Sequence, residues 1–315
     1  MKITVLDKAS IGDDLDYSTL YAFGEVEIFD STSAEEFPSR AKDTDVIFQN
    51  KFRLTAEMIE KAPNLKLVCE AATGFDNIDI KKCREKGIAV ANVPGYSTDC
   101  VAQLTVAMAL ELIMHLGEYT DYVKSGKYSE SGIPNRLTPQ FSEIAGKTWG
   151  IVGLGNIGKR VAKIAEALGC RIIACKRTPE VGYECTDIDT LCKKSDIISI
   201  HTPLNDSTRG LIGKKQLNEM KKSAILINVA RGAVTDEAEV ARAVIEKKIA
   251  GFGCDVYSEE PFGENHPMAS LLSLPNVCLT PHIAWGAFET RTRLLCEMTK
   301  NMKAFLGGEK RNRVD

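Results

Sequence analysis

The sequence predicts an α/β protein of two doubly wound parallel-sheet domains. Three observations point there. Short apolar runs alternate with helix-like polar stretches in two separate series, a glycine-rich loop follows the first strand of the second series, and a long apolar helical stretch stands between the two. At 315 residues the chain has room for about two domains, each with its own buried core.

The first series lies before residue 95, with apolar runs at 3–6, 26–29, 46–48, 65–68 and 88–90 and helix-like stretches such as 55–61 between them. Pro94-Gly95 then punctuates the chain, and Ser97, Thr98 and Asp99 offer cap groups to a helix over residues 100–116. Gln103, Glu111 and His115 interrupt that stretch, which makes it a poor membrane span and a good buried helix. The second series begins at Trp149, with runs at 151–152, 172–174, 197–200, 224–229, 250–253 and 277–279. Residues 287–306 are again helical in spacing and have no strand to serve, so they are expected to pack back on the first domain.

Composition narrows the function. Forty Lys and Arg against 43 Asp and Glu leave a net charge of −3, which excludes a strongly basic nucleic-acid binder. Hydrophobic residues at 44% and charged residues at 26% are those of a globular chain rather than a disordered one. The ten cysteines are scattered without CxxC spacing and there are four histidines, so no zinc cluster is expected. The opening MKITVLDKAS reads as a first strand and not as a signal peptide. Reduced thiols in a cytoplasmic protein are the expectation.

The strongest local signal is Gly153-Leu154-Gly155-Asn156-Ile157-Gly158. An apolar strand precedes it, a helix with Ile157, Val161, Ile164, Ala165 and Leu168 on one face follows, and residues 170–175 supply the next strand. In that βαβ setting Gly153 permits the tight turn, Gly155 lets a pyrophosphate approach the backbone, and Gly158 lets the helix lie close to the sheet. The helix N-terminus adds free N–H groups and the positive end of its dipole. A dinucleotide site is therefore expected. At the end of the following strand an NAD site carries an acid for the ribose hydroxyls. Here the chain reads Cys175-Lys176-Arg177-Thr178, so Lys176 and Arg177 are expected to attract a 2′-phosphate and to favour NADP over NAD.

Three more ionisable groups follow apolar strands: Arg231, Glu260 and His282. In an open parallel sheet ligands bind beyond the carboxyl ends of the strands, which puts all three near the glycine loop. Singly they read as a cap donor, a surface charge and a loop histidine. Together they suit carbonyl reduction: a cation for an anionic substrate, a histidine to pass a proton, and a carboxylate to keep that histidine charged.

With these motifs in place, the chain resembles the D-isomer-specific 2-hydroxyacid dehydrogenases. The resemblance rests on Gly153–Gly158, Asn228-Val229-Ala230-Arg231-Gly232, Asp255-Val256-Tyr257-Ser258-Glu259-Glu260-Pro261 and Thr280-Pro281-His282, and it spans essentially the whole chain. Asn50-Lys51, the segment from Ala71 to Asp79 and His282-Ile283-Ala284-Trp285 are most similar to the glycerate dehydrogenase, or hydroxypyruvate reductase, branch. Lys176 stands where NAD-dependent members have Asp, and Glu260 separates the chain from formate dehydrogenases, which have Gln there.

The resemblance implies a Rossmann nucleotide domain, residues 99–285, inserted in a flavodoxin-like substrate domain made of 1–98 and 286–315. It implies a homodimer formed partly by the helix that starts near Asp99, and no metal. Arg231, Glu260 and His282 would be the catalytic set, and the Thr73-Gly74 backbone would bind the substrate carboxylate together with Arg231. Gly153, Gly155, Asn156, Ile157, Gly158, Lys176, Arg177, His201, Thr202, Pro203, Thr208, Val229, Ala230, Asp255 and Ala284 would line the NAD(P) site, Asp255 at the nicotinamide amide. The implied activity is NAD(P)H-dependent reduction of hydroxypyruvate or glyoxylate to the D-2-hydroxy acid, and the reverse. A dinucleotide-sensing regulator of the same family and a reductase of bulkier 2-oxo acids are the alternatives. The absence of an added tail beyond Asp315 favours a plain enzyme.

Overall fold

The computed structural model describes residues 1–178 and 180–315. The chain divides into two compact units, residues 1–96 with 286–315, and residues 97–285.

The first unit runs β1 (Lys2–Val5), β2 (Glu25–Ile28), α1 (Phe37–Ala41), β3 (Val46–Gln49), α2 (Ala56–Glu60), β4 (Leu67–Glu70), α3 (Ile80–Lys86) and β5 (Ala89–Ala91). All five strands are parallel in the order β2-β1-β3-β4-β5, the flavodoxin-like arrangement. β3 and β4 are buried along their whole length, as strands covered on both faces must be, and this is why they read as unbroken apolar runs. Short helices are held by local caps. Asp79 accepts the Lys82 N–H at 2.9 Å at the start of α3, and Gly87 ends that helix at φ +70°. One core lies around Leu6, Phe37, Ile47, Phe52, Leu54 and Val68, with the rings of Phe37 and Phe52 stacked 5.1 Å apart.

The second unit contains α4 (Thr98–Met114), α5 (Leu116–Lys124), α6 (Lys127–Ser131), β6 (Thr148–Val152), α7 (Asn156–Ala167), β7 (Arg171–Cys175), β8 (Glu184–Cys185), α8 (Ile188–Lys194), β9 (Ile197–Ile200), α9 (Lys214–Glu219), β10 (Ile225–Asn228), α10 (Glu237–Ile245), β11 (Gly251–Cys254) and β12 (Val277–Leu279). Its seven strands are parallel in the order β12-β11-β10-β9-β6-β7-β8, a Rossmann sheet whose strand order reverses between β6 and β9. α4 lies on this sheet and beside α7, burying Val101, Ala102, Val106, Met108, Ala109 and Leu112. A Cβ on Gly253 would come 3.3 Å from Met108, so the glycine in β11 is what lets the helix sit so close. The wholly buried Trp149 satisfies its indole N–H on Ser199 Oγ at 2.9 Å. Among the described residues no single helix is long and apolar enough to cross a membrane.

The last helix, α11 (Phe288–Leu306), belongs to the first unit, packs on β4 and buries Leu294, Leu295, Met298 and Met302. The segment beyond it pairs with β5: Val314 donates to Val90 O at 3.0 Å, and Val90 donates to Asp315 Oδ1 at 2.8 Å.

Two buried carboxyls stand at the carboxyl ends of this unit's strands. Asp7 follows β1 and accepts the N–H groups of Asn50, Lys51 and Phe52 at 2.6–3.2 Å. Glu70 ends β4, where Gln49 and Asn77 donate to it at 3.0 and 3.3 Å. Burial pushes the Glu70 carboxyl well above the usual carboxylate range, and the nearby Asp7 charge adds to the effect. A carboxyl with a raised folded pKa keeps its proton in the native state while the unfolded chain releases it. Stability is therefore lost as pH climbs from the ordinary carboxylate range through the raised value. Glu70→Gln removes the charge at nearly constant volume. Its melting temperature should gain on the wild type's as pH rises from about 5 to about 8. A gap independent of pH would remove Glu70 as the source.

Candidate active site

The glycine loop follows β6 and opens α7. Gly153 has φ +94°, and a Cβ there would lie 2.7 Å from Thr202 N and 2.8 Å from the His201 carbonyl carbon. Only glycine can make this turn against the His201-Thr202 segment. A Cβ on Gly158 would meet Gly153 O at 2.3 Å, which is how the helix closes on the strand. Gly155 differs from both: a Cβ there would meet nothing within 4 Å, so the loop is open on that side. No side chain caps α7, whose N-cap is Gly155 itself, and Asn156 and Ile157 form its first turn. A glycine cradle open beside an uncapped helix N-terminus fits a dinucleotide pyrophosphate.

His201 follows β9 with its Nε2 on Ser199 Oγ at 2.9 Å, while its Nδ1 is buried with no hydrogen-bond partner among the described residues. Burial holds the imidazole down to about 3, so the ring is neutral at physiological pH. Thr208 closes the following loop: its hydroxyl donates to Pro203 O at 2.7 Å and accepts the Asn205 N–H at 2.8 Å.

Lys176 and Arg177 stand after β7 as expected, with Arg177 exposed. Lys176 is ion-paired to Glu180, and the same carboxylate takes Lys159 Nζ at 2.7 Å. Lys159 directly follows Gly158. The two lysines hold the Glu180 carboxyl at about 2. Neither Lys159 nor Glu180 was singled out from sequence. The adjacency of Lys159 to the glycine loop was visible there, but its meeting with Glu180 was not.

The remaining groups stand at the ends of β10, β11 and β12. Asn228, fully buried, accepts the Ala230 N–H at 3.1 Å and donates to Arg231 O at 2.9 Å, folding the Val229-Ala230-Arg231 turn over itself. The Arg231 side chain donates to Ala230 O at 2.9 Å. A Cβ on the next residue, Gly232, would lie 2.2 Å from both Ser258 N and the Tyr257 carbonyl carbon. The turn bearing Arg231 therefore lies backbone to backbone against the loop bearing Glu260.

Glu260 accepts the Tyr257 N–H on Oε1 at 2.9 Å, and its Oε2 stands 2.6 Å from His282 Nδ1. An ionised carboxylate can only accept, so Nδ1 donates to Glu260. His282 has φ +57°, a conformation that side-chain-bearing residues seldom adopt. Asp255 holds it there. Fully buried, it takes Thr280 Oγ1 at 2.5 Å and Ile283 N at 2.8 Å on Oδ1, and Ala284 N at 2.8 Å on Oδ2. Burial raises the Asp255 carboxyl above its usual range against the pull of these bonds.

A second buried carboxylate, unforeseen from sequence, braces the Glu260 loop. Glu237, in the first turn of α10, accepts the Ser258 N–H at 2.9 Å and the Ser258 hydroxyl, and it lies 3.1 Å from His266 Nε2. Only the acid-rich start of that helix was legible beforehand.

In the other unit, Thr73 and Gly74 follow β4. Thr73 donates its hydroxyl to Val93 O at 3.0 Å, and its carbonyl accepts from Asn92 Nδ2 at 2.7 Å, so the turn is held from both sides.

Residues 106–284 match the family model described as D-isomer specific 2-hydroxyacid dehydrogenase, NAD binding domain. The chain belongs to the D-isomer specific 2-hydroxyacid dehydrogenase family. It is 37% identical to the hydroxypyruvate reductase of Blautia hydrogenotrophica over the whole of both chains. It is 40% identical to the glyoxylate reductase of Thermococcus litoralis over 82% of this chain and 78% of that one. Among solved structures it is similar to the acyclic imino acid reductase Bsp5 in complex with NADPH and D-Arg, at 30% identity and a TM-score of 0.86 over all of both chains.

The contact at Gly232 can be tested in isolation. Gly232→Ala forces the two loops apart or bends them and should cost about 1–3 kcal/mol of stability, as overpacking does. Urea unfolding reads it, and a midpoint equal to the wild type's would show that the contact yields freely.

Proposed function

We propose that this dehydrogenase reduces a small 2-oxo acid, hydroxypyruvate or glyoxylate, to the D-2-hydroxy acid and runs the reverse oxidation. The observation that carries the reading is the Glu260–His282 pair at 2.6 Å in the same unit as the open glycine loop. The names of the relatives support the substrate class.

A nicotinamide held at this site would supply the hydride for the carbonyl carbon. His282, protonated and hydrogen-bonded through Nδ1 to Glu260, gives its Nε2 proton to the oxygen that becomes alkoxide. Glu260 stabilises the imidazolium and fixes its orientation. Arg231 binds the substrate carboxylate and polarises the carbonyl, a task for a planar two-pronged cation. The Gly153–Gly158 loop with Val229, Ala230, Pro203, Thr208 and Ala284 would hold the dinucleotide, and Asp255, which holds the His282 turn, would accept from the nicotinamide amide.

The exposed apolar side chains of Leu116, Val123, Ile133, Leu137 and Phe141 support a homodimer, to be checked by sedimentation; a monomer at micromolar concentration would remove it. Ten free cysteines fit a reducing compartment.

Turnover on a panel of 2-oxo acids with NADH and NADPH tests the assignment. Absence of reduction of both hydroxypyruvate and glyoxylate would overturn it. His282→Ala should lower kcat by about 10²–10⁴-fold while the dinucleotide still binds. In Glu260→Gln the protonated ring loses its paired charge, so reduction should fail at a lower pH than in the wild type as pH is raised. An unchanged pH–rate profile would take Glu260 out of the mechanism.

Cofactor choice follows from Lys176 and Arg177. NADPH should exceed NADH in kcat/KM by about tenfold to a hundredfold at low salt, with NADH still used, and the margin should shrink as salt screens the charges. Lys176→Asp with Arg177→Ala should reverse the order. A wild type that prefers NADH at low salt would show that the two cations do not read the 2′ position.

A further inference from the structure

The turn after β7 holds more than the two cations. Glu180 bridges Lys176 and Lys159, one from the strand end and one from the first turn of α7. Its backbone N–H reaches Cys185 Sγ on β8 at 3.4 Å, which ties this part of the turn to the sheet edge. An acid has thus been returned to the end of β7 from a position four residues downstream of the one where an NAD site carries it.

We propose that Glu180 sets the selectivity for the phosphorylated ribose by competing with a 2′-phosphate for the ammonium groups of Lys176 and Lys159. The inference rests on the reading that this turn meets the adenosine ribose. A 2′-phosphate brings nearly two negative charges to the lysines, and its oxygens want the same N–H donors that Glu180 now occupies. A ribose hydroxyl brings no charge and can donate to the carboxylate instead. One side chain therefore weakens the phosphorylated ligand and suits the unphosphorylated one. The pairing keeps Glu180 ionised down to about 2, so the competition persists across the working pH range. The two lysines and one carboxylate carry +1 together, and removing the carboxylate charge makes that +2.

The test uses the full chain and needs no turnover. Adenosine 2′,5′-bisphosphate and adenosine 5′-monophosphate are titrated calorimetrically into wild type, Glu180→Gln and Glu184→Gln. Glu184, on the neighbouring strand β8, is a control of equal charge change, ion-paired to Arg171 and Lys194. In Glu180→Gln the ratio of the two affinities should move about three- to tenfold toward the bisphosphate, the scale of two exposed ion pairs, with a steeper salt dependence. The ratio in Glu184→Gln should stay at the wild-type value. Lys159→Gln should move it the opposite way. An unmoved ratio in Glu180→Gln, or an equal shift in Glu184→Gln, overturns the inference. A wild type that prefers NADH in kcat/KM overturns the NADPH reading alone, since a shift in the ratio on removing Glu180 would still stand.

Discussion

Every paired strand in both sheets runs parallel to its neighbours, and this constraint underlies the rest. A parallel strand cannot return through a hairpin. It must cross over, so the loops that leave the strands collect along one edge of each sheet. In residues 97–285 that edge receives the glycine loop after β6, Lys176 after β7, His201 after β9, Arg231 after β10, Asp255 and Glu260 after β11 and His282 after β12. Segments distant in the chain, such as Gly153 and His201 or Glu260 and His282, become neighbours with no need for a long structured insertion.

Loops crowded on such an edge carry backbone N–H groups that the sheet no longer satisfies. Both units answer with a buried carboxylate one or two residues past a strand end, accepting from a neighbouring loop. Asp7 does so for residues 50–52, and Asp255 for residues 280–284. Desolvation raises each carboxyl above its usual range, and the converging donors oppose that shift without cancelling it. The same device at Asp255 holds His282 in a conformation it would not keep alone. Glu237 works likewise from the start of α10, so the loop bearing Glu260 is braced on one side by a carboxylate and on the other by the close approach of Gly232.

Charge at the far end of the sheet follows different rules, because it is partly solvated. Lys159, Lys176 and Glu180 form a small half-buried cluster in which individual pairs are weakened by solvent and screened by salt. A ligand phosphate can rearrange such a cluster, whereas it could not rearrange the buried carboxylates.

The sequence by itself determined the alternation of strands and helices, the two parallel sheets, the dinucleotide loop and the candidates Arg231, Glu260 and His282. These features are written locally: apolar period, glycine spacing, and an ionisable residue directly after a strand. The two-residue strand β8 escaped notice because it is too short to have a period. What only the tertiary structure decided was which side chains compete for the same partner. Glu180 reads as a turn residue until folding brings Lys159 beside it, and Glu237 reads as a helix-start acid until Ser258 and His266 arrive from another loop. Asp7 and Glu70 read as polar interruptions at strand ends until the sheet buries them. Burial and pairing depend on distant segments meeting, and no local pattern encodes which distant donor or cation a given carboxylate will face.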